Sequence, residues 1–468
     1  VTAYQYPLPF YKANQTGSGA INRDRLLELL SQDLDFHDQD SSYASHNFHS
    51  FPAKFPPQLP RKFITVLTNP GDTVLDPMMG SSTTILEAFL AGRRGIGFDI
   101  DPLALLISQV KVVPLDPEAV ELTGRDILKK ANDTLQDQWG ELKRSLKSRW
   151  NTKTQEFIDY WFAPETQLEL LALITQIEKL ADEKLRAFFE LVFSAIIITK
   201  SGGVSLAFDL AHTRPHRVKV VISQTGDILL GEDLAKNPSP RIKILTKTLR
   251  SPLAEFEKRF QQNLKSLSRA DFGPIPPEIR FGNAQALPLD NAAVDLIVTS
   301  PPYASNAIDY MRAHKFSLVW LGHSIDELTQ KRKEYIGGEV VTAVEFEDLP
   351  AYTAGVVAGI SKLDSKRGLV LHRYYSEMTR TLKEMFRVLR PGKVAIVVVG
   401  SSMMRGQDTE THTCLADIGR AIGFEVPKVG VRHLDRNRRM LPAGAKLDLD
   451  SQIQQRMHEE YVIGFYKP

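Results

Sequence analysis

The chain has 468 residues, and its 58 Lys and Arg nearly balance its 56 Asp and Glu. Hydrophobic residues make up 43%, enough to fill packed cores, so a disordered chain is excluded. The single cysteine, Cys414, excludes an intrachain disulfide framework and a Cys-rich metal cluster, and a reducing cytoplasm is expected.

Val1 to Lys12 lacks the apolar run after a basic start that marks a signal peptide. Residues 1–50 are polar, Asp- and His-rich from Asp33 to His49, and read as an irregular arm. Prolines at 52, 56, 57 and 60 precede an apolar helical run, Lys62 to Leu67. A strand is expected at Thr73 to Leu75, a small-residue turn at Gly80 to Thr84, a helix at Ile85 to Ala91 and a second strand at Gly95 to Ile100. Strand, turn, helix and strand in this order open a doubly wound nucleotide-binding sheet. From Pro117 to about Ile198 the text turns helical, with apolar residues at three-to-four spacing. Its longest apolar run, Leu191 to Thr199, is roughly half of what a membrane helix needs, so no membrane association is expected. A basic, strand-like piece and a helix, Leu253 to Leu267, complete this insert. Strands return at Ile279 to Phe281 and Val294 to Val298, followed by a helical segment, Asn306 to Leu321, and a loop-rich stretch to about Arg367. A helix, Tyr375 to Leu389, and strands at Val394 to Val399 and Tyr461 to Tyr466 close the chain.

Two constellations carry chemistry. In the first, Asp76-Pro77-Met78-Met79-Gly80-Ser81-Ser82-Thr83-Thr84, small residues after a strand let a ligand approach the backbone and the first amides of the next helix. Asp99 follows at the end of the second strand, where such folds place a carboxylate for ribose hydroxyls; the plainer alternative is an ordinary turn with a surface Asp. The second is Ser300-Pro301-Pro302-Tyr303, directly after a buried strand. Two prolines stiffen the turn. A planar ring can stack on Tyr303 while an amino group bonds to Ser300; the alternative is a proline turn with Tyr303 in the core.

Ser300 to Tyr303 resembles the catalytic motif of the amino-methyltransferases that modify exocyclic nitrogens of DNA bases. Asp76 to Thr84 is similar to their cofactor loop, His49-Ser50-Phe51-Pro52-Ala53-Lys54-Phe55-Pro56 to the segment that closes over the methionine part of S-adenosylmethionine, and Asn283-Ala284 to the adenine contact. Met78 and Ser82 stand where the family usually has Phe and Gly. The resemblance covers about 50–110 and 279–468. It implies an α/β, Rossmann-like doubly wound methyltransferase sheet; the stretch 111–278 lies outside the resemblance and reads from its own pattern as a large, mainly helical insertion between the second and third strands, favoured for DNA recognition by its basic clusters. The organisation expected is an arm (1–50), a cofactor half (51–110), a DNA-recognition insert (111–278) and a catalytic half (279–468). It further implies S-adenosyl-L-methionine bound by Lys54, Phe55, Asp76, Pro77, Gly80, Ser81, Ser82, Thr83, Asp99, Asn283 and Ala284, and double-stranded DNA as substrate, with a cognate restriction endonuclease left open.

An exocyclic amine is a weak nucleophile because its lone pair is delocalised into the ring. Acceptors for its N–H groups expose that lone pair, so positioning and electrostatics carry the reaction. The target base must leave the duplex to reach such a site. Ser before the prolines leans toward cytosine N4 in this family, with adenine N6, an RNA base, or a non-catalytic DNA-binding relative as alternatives. Methylation at cytosine carbon-5 would need a thiolate, and Cys414, with no proline before it, reads as a helix residue. Phosphate contacts are expected from Arg214, Arg217, Lys219, Arg241, Lys243, Arg438 and Arg439, with the clusters at Lys143–Arg149 and Lys247–Arg250 as further candidates. His46, His49 and His412 lack partners at metal-ligand spacing, read as surface or loop residues, and no metal is expected.

Overall fold

The computed structural model describes residues 18–51, 54–199, 201–210, 215–236, 238–267, 272–304, 309–341, 344–400, 402–434 and 459–468. Seven strands form one sheet: β1 (Thr73–Asp76), β2 (Arg94–Asp99), β3 (Glu278–Phe281), β4 (Val294–Thr299), β5 (Leu389–Gly400), β6 (Val429–His433) and β7 (Glu459–Tyr466). Their order is β6-β7-β5-β4-β1-β2-β3. The first five are mutually parallel, and β7 runs antiparallel between β5 and β6. The order reverses between β1 and β4, which leaves a crevice at their carboxyl ends. The expected doubly wound sheet, interrupted between its second and third strands, is the fold observed.

The central strands read as continuous apolar runs because both faces are covered. Along β5, Val394, Ile396 and Val398 join one core while Ala395, Val397 and Val399 join the other. The first face is covered by α2 (Gln58–Leu67) and by α1 (Ser18–Leu29), the second by α14 (Ser365–Val388) and α15 (Thr411–Ile422). The irregular arm expected at 1–50 is therefore corrected over 18–29, where the chain is helical; residues 1–17 lie outside the described residues. Leu26, Leu30 and Leu34 dock where β6 and β7 carry glycines: a Cβ on Gly464 would lie 2.5 Å from Leu30, and one on Gly430 2.9 Å from Leu34.

After α3 (Thr83–Leu90) and α4 (Pro102–Val112), the insert supplies α5 (Pro117–Asp137), α6 (Trp139–Ser148), α7 (Thr152–Trp161), α8 (Pro164–Glu178), α9 (Glu183–Ile197) and α10 (Pro252–Leu267). Its core of Leu171, Phe188, Phe189, Phe256 and Phe260 is continuous with Leu103 and Ile107 of α4 and with Phe316 of α11 (Tyr310–Leu318). A small three-stranded sheet, 228–230, 220–222 and 246–248, sits within it. No helix among the described residues is long and apolar enough to cross a membrane. The stretch expected to be loop-rich contains α12 (Ile325–Lys331) and α13 (Ala351–Leu363), and α14 begins ten residues earlier than expected.

Candidate functional site

β1 ends at Asp76 and the chain turns through Pro77 to Ser82 into α3. Gly80 has φ +47°, and a Cβ there would meet the Phe51 ring at 3.1 Å, so the loop needs glycine to let Phe51 lie against it. Ser82 takes the same left-handed backbone, φ +62°, where the family usually has glycine. Its side chain is fully buried, its hydroxyl has no partner, and it takes no part in the cavity wall. On β2, a Cβ at Gly97 would fall 2.4 Å from the Met79 sulfur, so the glycine admits the loop against the sheet.

A cavity with about 900 Å³ of atom-free space, its open mouth included, lies at the carboxyl ends of β1, β2 and β4. The wall includes Lys54, Phe55, Asp76, Pro77, Gly80, Ser81, Thr83, Asp99, Asn283, Ala284, Ser300 and Pro302, so the two constellations meet in one space. Asp99 accepts from the Gly80 amide at 2.8 Å and the Asp101 amide at 2.9 Å. Burial, reinforced by Asp101, pushes its carboxyl up to about 6. Asp76, raised to about 7 by burial, accepts from the Thr299 hydroxyl at 2.7 Å, which ties the end of β4 to the end of β1. Lys54 donates to the His46 carbonyl at 2.8 Å, and burial lowers its ammonium to about 8. Asn283 and Ala284 sit just beyond β3 rather than on it, in a turn held by the Asn283 side chain at the Gln285 amide, 3.0 Å.

Of the second constellation, Ser300 and Pro302 line the cavity and Pro301 is buried. Tyr303 is not among the described residues that line the cavity. Its ring is 8% exposed within the core of α13 and α14, outside the cavity wall, and its hydroxyl donates to Glu460 at 3.0 Å.

Several wall residues had no marked role in the sequence. Tyr310 stacks on Phe51 with centroids 5.3 Å apart, and Glu334, Tyr335 and Ile336 line the same cavity. Asp101 caps α4 through the Leu103 amide at 2.8 Å, and it accepts from His314 at 2.6 Å and the Tyr335 hydroxyl at 2.8 Å. His46 and His49, expected as surface or loop residues, lie in a loop but are buried: His46 pairs with Glu87 at 2.7 Å and His49 with the Ser194 hydroxyl at 2.9 Å. His412 is half-buried, stacked on Tyr461 at 3.6 Å. Behind the loop, fully buried Lys111 donates to the Ser81 carbonyl at 2.5 Å, and burial holds its ammonium well below the usual lysine range.

Among the basic candidates, the Lys219 amide bonds the Leu245 carbonyl at 2.8 Å, which brings Lys219 near the Arg241 and Lys243 turn; all three side chains are exposed. The Arg217 guanidinium lies 4.6 Å from the Tyr160 ring centroid. Lys247 is turned inward, donating to the carbonyls of Ser201, Ser205 and Ala207, and burial lowers it to about 7, so its role is structural. Arg149 pairs with Glu178. Arg214, Arg438 and Arg439 lie outside the described residues. Among the described residues, no group of three or more His, Cys, Asp or Glu is arranged to hold a metal ion.

The DNA methylase family model matches residues 31–109, which span the last part of the arm, the Gly80 loop and Asp99. The chain is similar to the type II methyltransferase M.MvaI of Kocuria varians, 24% identical over 88% of this chain and 87% of that one. It is also similar to the type II methyltransferase M.AvaI of Nostoc sp., 21% identical over 86% and 84%. Among solved structures, a DNA modification methylase of Thermus thermophilus complexed with S-adenosyl-L-methionine aligns over 40% of this chain and 51% of its own, with 19% identity and a TM-score of 0.21.

Proposed function

We propose that the chain is a DNA amino-methyltransferase, a reading supported by its match to the DNA methylase model and its type II methyltransferase relatives, and that it methylates cytosine N4 in double-stranded DNA at the cavity between β1 and β4. The observation that carries this reading is that Ser300 and Pro302 open into the same cavity as Gly80 and Asp99.

The residues present fit S-adenosylmethionine. Phe51, Met78, Ile100, Ala284 and Ile336 give apolar walls for a planar ring. Asp99 has lone pairs beyond the two engaged by amides, free to accept ribose hydroxyls. Gly80 presents bare backbone where a Cβ would press on Phe51. When bound, the cofactor supplies an electrophilic methyl group on a positively charged sulfur.

The chain's own contribution is to hold the acceptor of that methyl group. Ser300 accepts an N–H of the target amine and draws its lone pair out of conjugation, while the prolines keep the hydroxyl in place. The base reaches Ser300 by leaving the duplex. Arg217, Lys219, Arg241 and Lys243 of the insert neutralise backbone phosphates on one side. The cytosine assignment is supported by Ser300 itself, a neutral hydroxyl where an Asp or Asn would favour adenine. Expression in a methylation-deficient host, followed by mass spectrometry of the nucleosides, tests it: N4-methylcytosine is expected, and N6-methyladenine alone would replace it.

A further inference from the structure

One carboxylate in the cavity wall holds more than its helix needs. Asp101 caps α4 with one oxygen, which accepts from the Leu103 and Ala104 amides at 2.8 and 3.2 Å. Asp116 before α5 and Asp182 before α9 cap through the same two amide positions, and both are exposed. Asp101 is 4% exposed, and its second oxygen lies 2.6 Å from His314 Nδ1 and 2.8 Å from the Tyr335 hydroxyl. These partners stand 213 and 234 residues away in the chain. An ionised carboxylate only accepts, so both partners donate to it. Capping accounts for the first oxygen and leaves the second to another task.

Both donors lead to the cavity wall. Tyr335 lines it directly, in the segment that follows α12. The backbone of that segment is gripped from α14: Arg373 donates to the carbonyls of Lys333 and Tyr335 at 3.0 and 3.3 Å, and Glu377 accepts from the Gly337 amide at 2.8 Å. The bond to Asp101 fastens the far end of the Tyr335 side chain. His314 is fully buried, one helical turn past Tyr310 on α11, with its ring centroid 5.5 Å from Phe51 and 5.9 Å from Tyr310. It therefore braces the stacked pair of the wall against the same carboxylate. Asp101 comes two residues after Asp99, the ribose acceptor of the proposed cofactor site, and its amide donates to Asp99 at 2.9 Å. The tie to Tyr335 is thus made at the nucleoside end of the cavity.

We propose that Asp101 is a positioning residue that holds Tyr335 as an aromatic wall against the nucleoside of S-adenosylmethionine, with His314 as its second donor. The proposal rests on the reading of this cavity as the cofactor site and deepens it. The Tyr335 hydroxyl is spent on Asp101, which leaves the ring as the part that meets the ligand. A residue of the catalytic half, with no place in the cofactor loop, thereby contributes to cofactor affinity.

A double-mutant cycle on the full chain tests this, read as the affinity for S-adenosylmethionine and, by competition, for methylthioadenosine, which keeps the nucleoside and lacks the amino-acid end. Tyr335→Phe keeps the ring and removes the tie; it is expected to weaken both ligands by the same factor, about fivefold or more. Asp101→Asn keeps a capping oxygen for α4 and removes the charge that draws the two donors; a loss at least as large is expected. Adding Tyr335→Phe to Asp101→Asn is expected to cost little further, because the hydroxyl has no carboxylate left to bind. In steady-state methyl transfer the change is expected chiefly in KM for the cofactor. An unchanged affinity in Tyr335→Phe, losses that multiply in the cycle, a fall in kcat alone, or a loss that spares methylthioadenosine would each overturn the proposal while leaving the cofactor site in place. No binding of S-adenosylmethionine by the wild-type chain would remove both. Melting of each variant identifies loss of fold, and if Asp101→Asn fails to fold, the two-ligand comparison in Tyr335→Phe decides alone.

Discussion

At the cofactor end of the cavity, Asp99 is held by amides 2 and 19 residues away in the chain, whereas at the catalytic end Tyr303 is held by Glu460, 157 residues away. The first arrangement is a local motif: a strand, a left-handed turn at Gly80 and a second strand place the carboxylate by themselves. The second exists only after β7 has inserted antiparallel between β5 and β6. One end can thus be recognised from a short run of residues, and the other is a product of the whole sheet.

The sharpest break in that comparison comes from Ser300→Ala. Removing the acceptor at the catalytic end is expected to lower turnover by about a hundredfold or more, as loss of an oriented polar group does in other active sites. Binding of S-adenosylmethionine, a property of the other end, is expected to stay, and calorimetry beside steady-state kinetics separates the two.

The legibility of the site follows the same division. Asp76, Gly80, Asp99, Ser300 and Pro302 stand in short patterns whose chemistry is visible in the text, and all line the cavity. Tyr310 and Tyr335 carry no local signal, because their place depends on a stack with Phe51 and a bond to Asp101 across the fold. The bond from the Tyr303 hydroxyl to Glu460 has no local signal either, because the two lie 157 residues apart in the chain. Helix α1 went unread for a related reason: its first half is polar, its leucines are bunched at 26, 27 and 29 and show no helical period, and the glycines that receive this segment lie on β6 and β7. His46 and His49 looked like surface residues in a polar stretch, yet Glu87 and Ser194 draw them inside. The central strands β1, β2, β4 and β5 were legible, since fully covered parallel strands must be apolar runs, whereas β6 was not expected: it is an edge strand paired only with β7, and its burial alternates.

Glu87→Gln tests the ground behind the cofactor loop. Glu87 is fully buried and accepts from Tyr43 and His46 on one oxygen, while the other makes no hydrogen bond and lies 3.9 Å from the Arg61 guanidinium; burial raises it to about 7. A carboxyl raised on folding contributes stability below its ordinary range and loses it as pH rises through 7. Glutamine mimics the protonated form, so the variant is expected to be more stable than the wild type at pH 8, by at most about 3 kcal/mol, with the difference vanishing near pH 4. Denaturant melts at the two pH values read it, and a difference independent of pH would contradict the buried-carboxylate account.

Reversing Arg217, Lys219, Arg241 and Lys243 to Glu addresses the insert, apart from both ends of the cavity. DNA affinity is expected to fall by roughly tenfold or more at moderate salt, and its salt dependence to flatten, while cofactor binding is unchanged. An unaltered salt slope would take these residues out of the DNA interface. The smallest effect is expected from Cys414→Ser. The thiol is buried on α15 and raised to about 11 by that burial, so it is protonated and inert at neutral pH, and turnover per folded molecule should stay within about twofold.

The most direct test of the cavity as the place where the cofactor is held is calorimetric titration of S-adenosylmethionine into the wild-type chain and into Asp99→Ala. Binding at one site per chain is expected for the wild type. In the variant, loss of a charged acceptor for ribose hydroxyls should weaken that binding by roughly tenfold or more, without a change in melting large enough to indicate unfolding. An unchanged dissociation constant in Asp99→Ala would contradict the assignment and send the cofactor elsewhere in the fold.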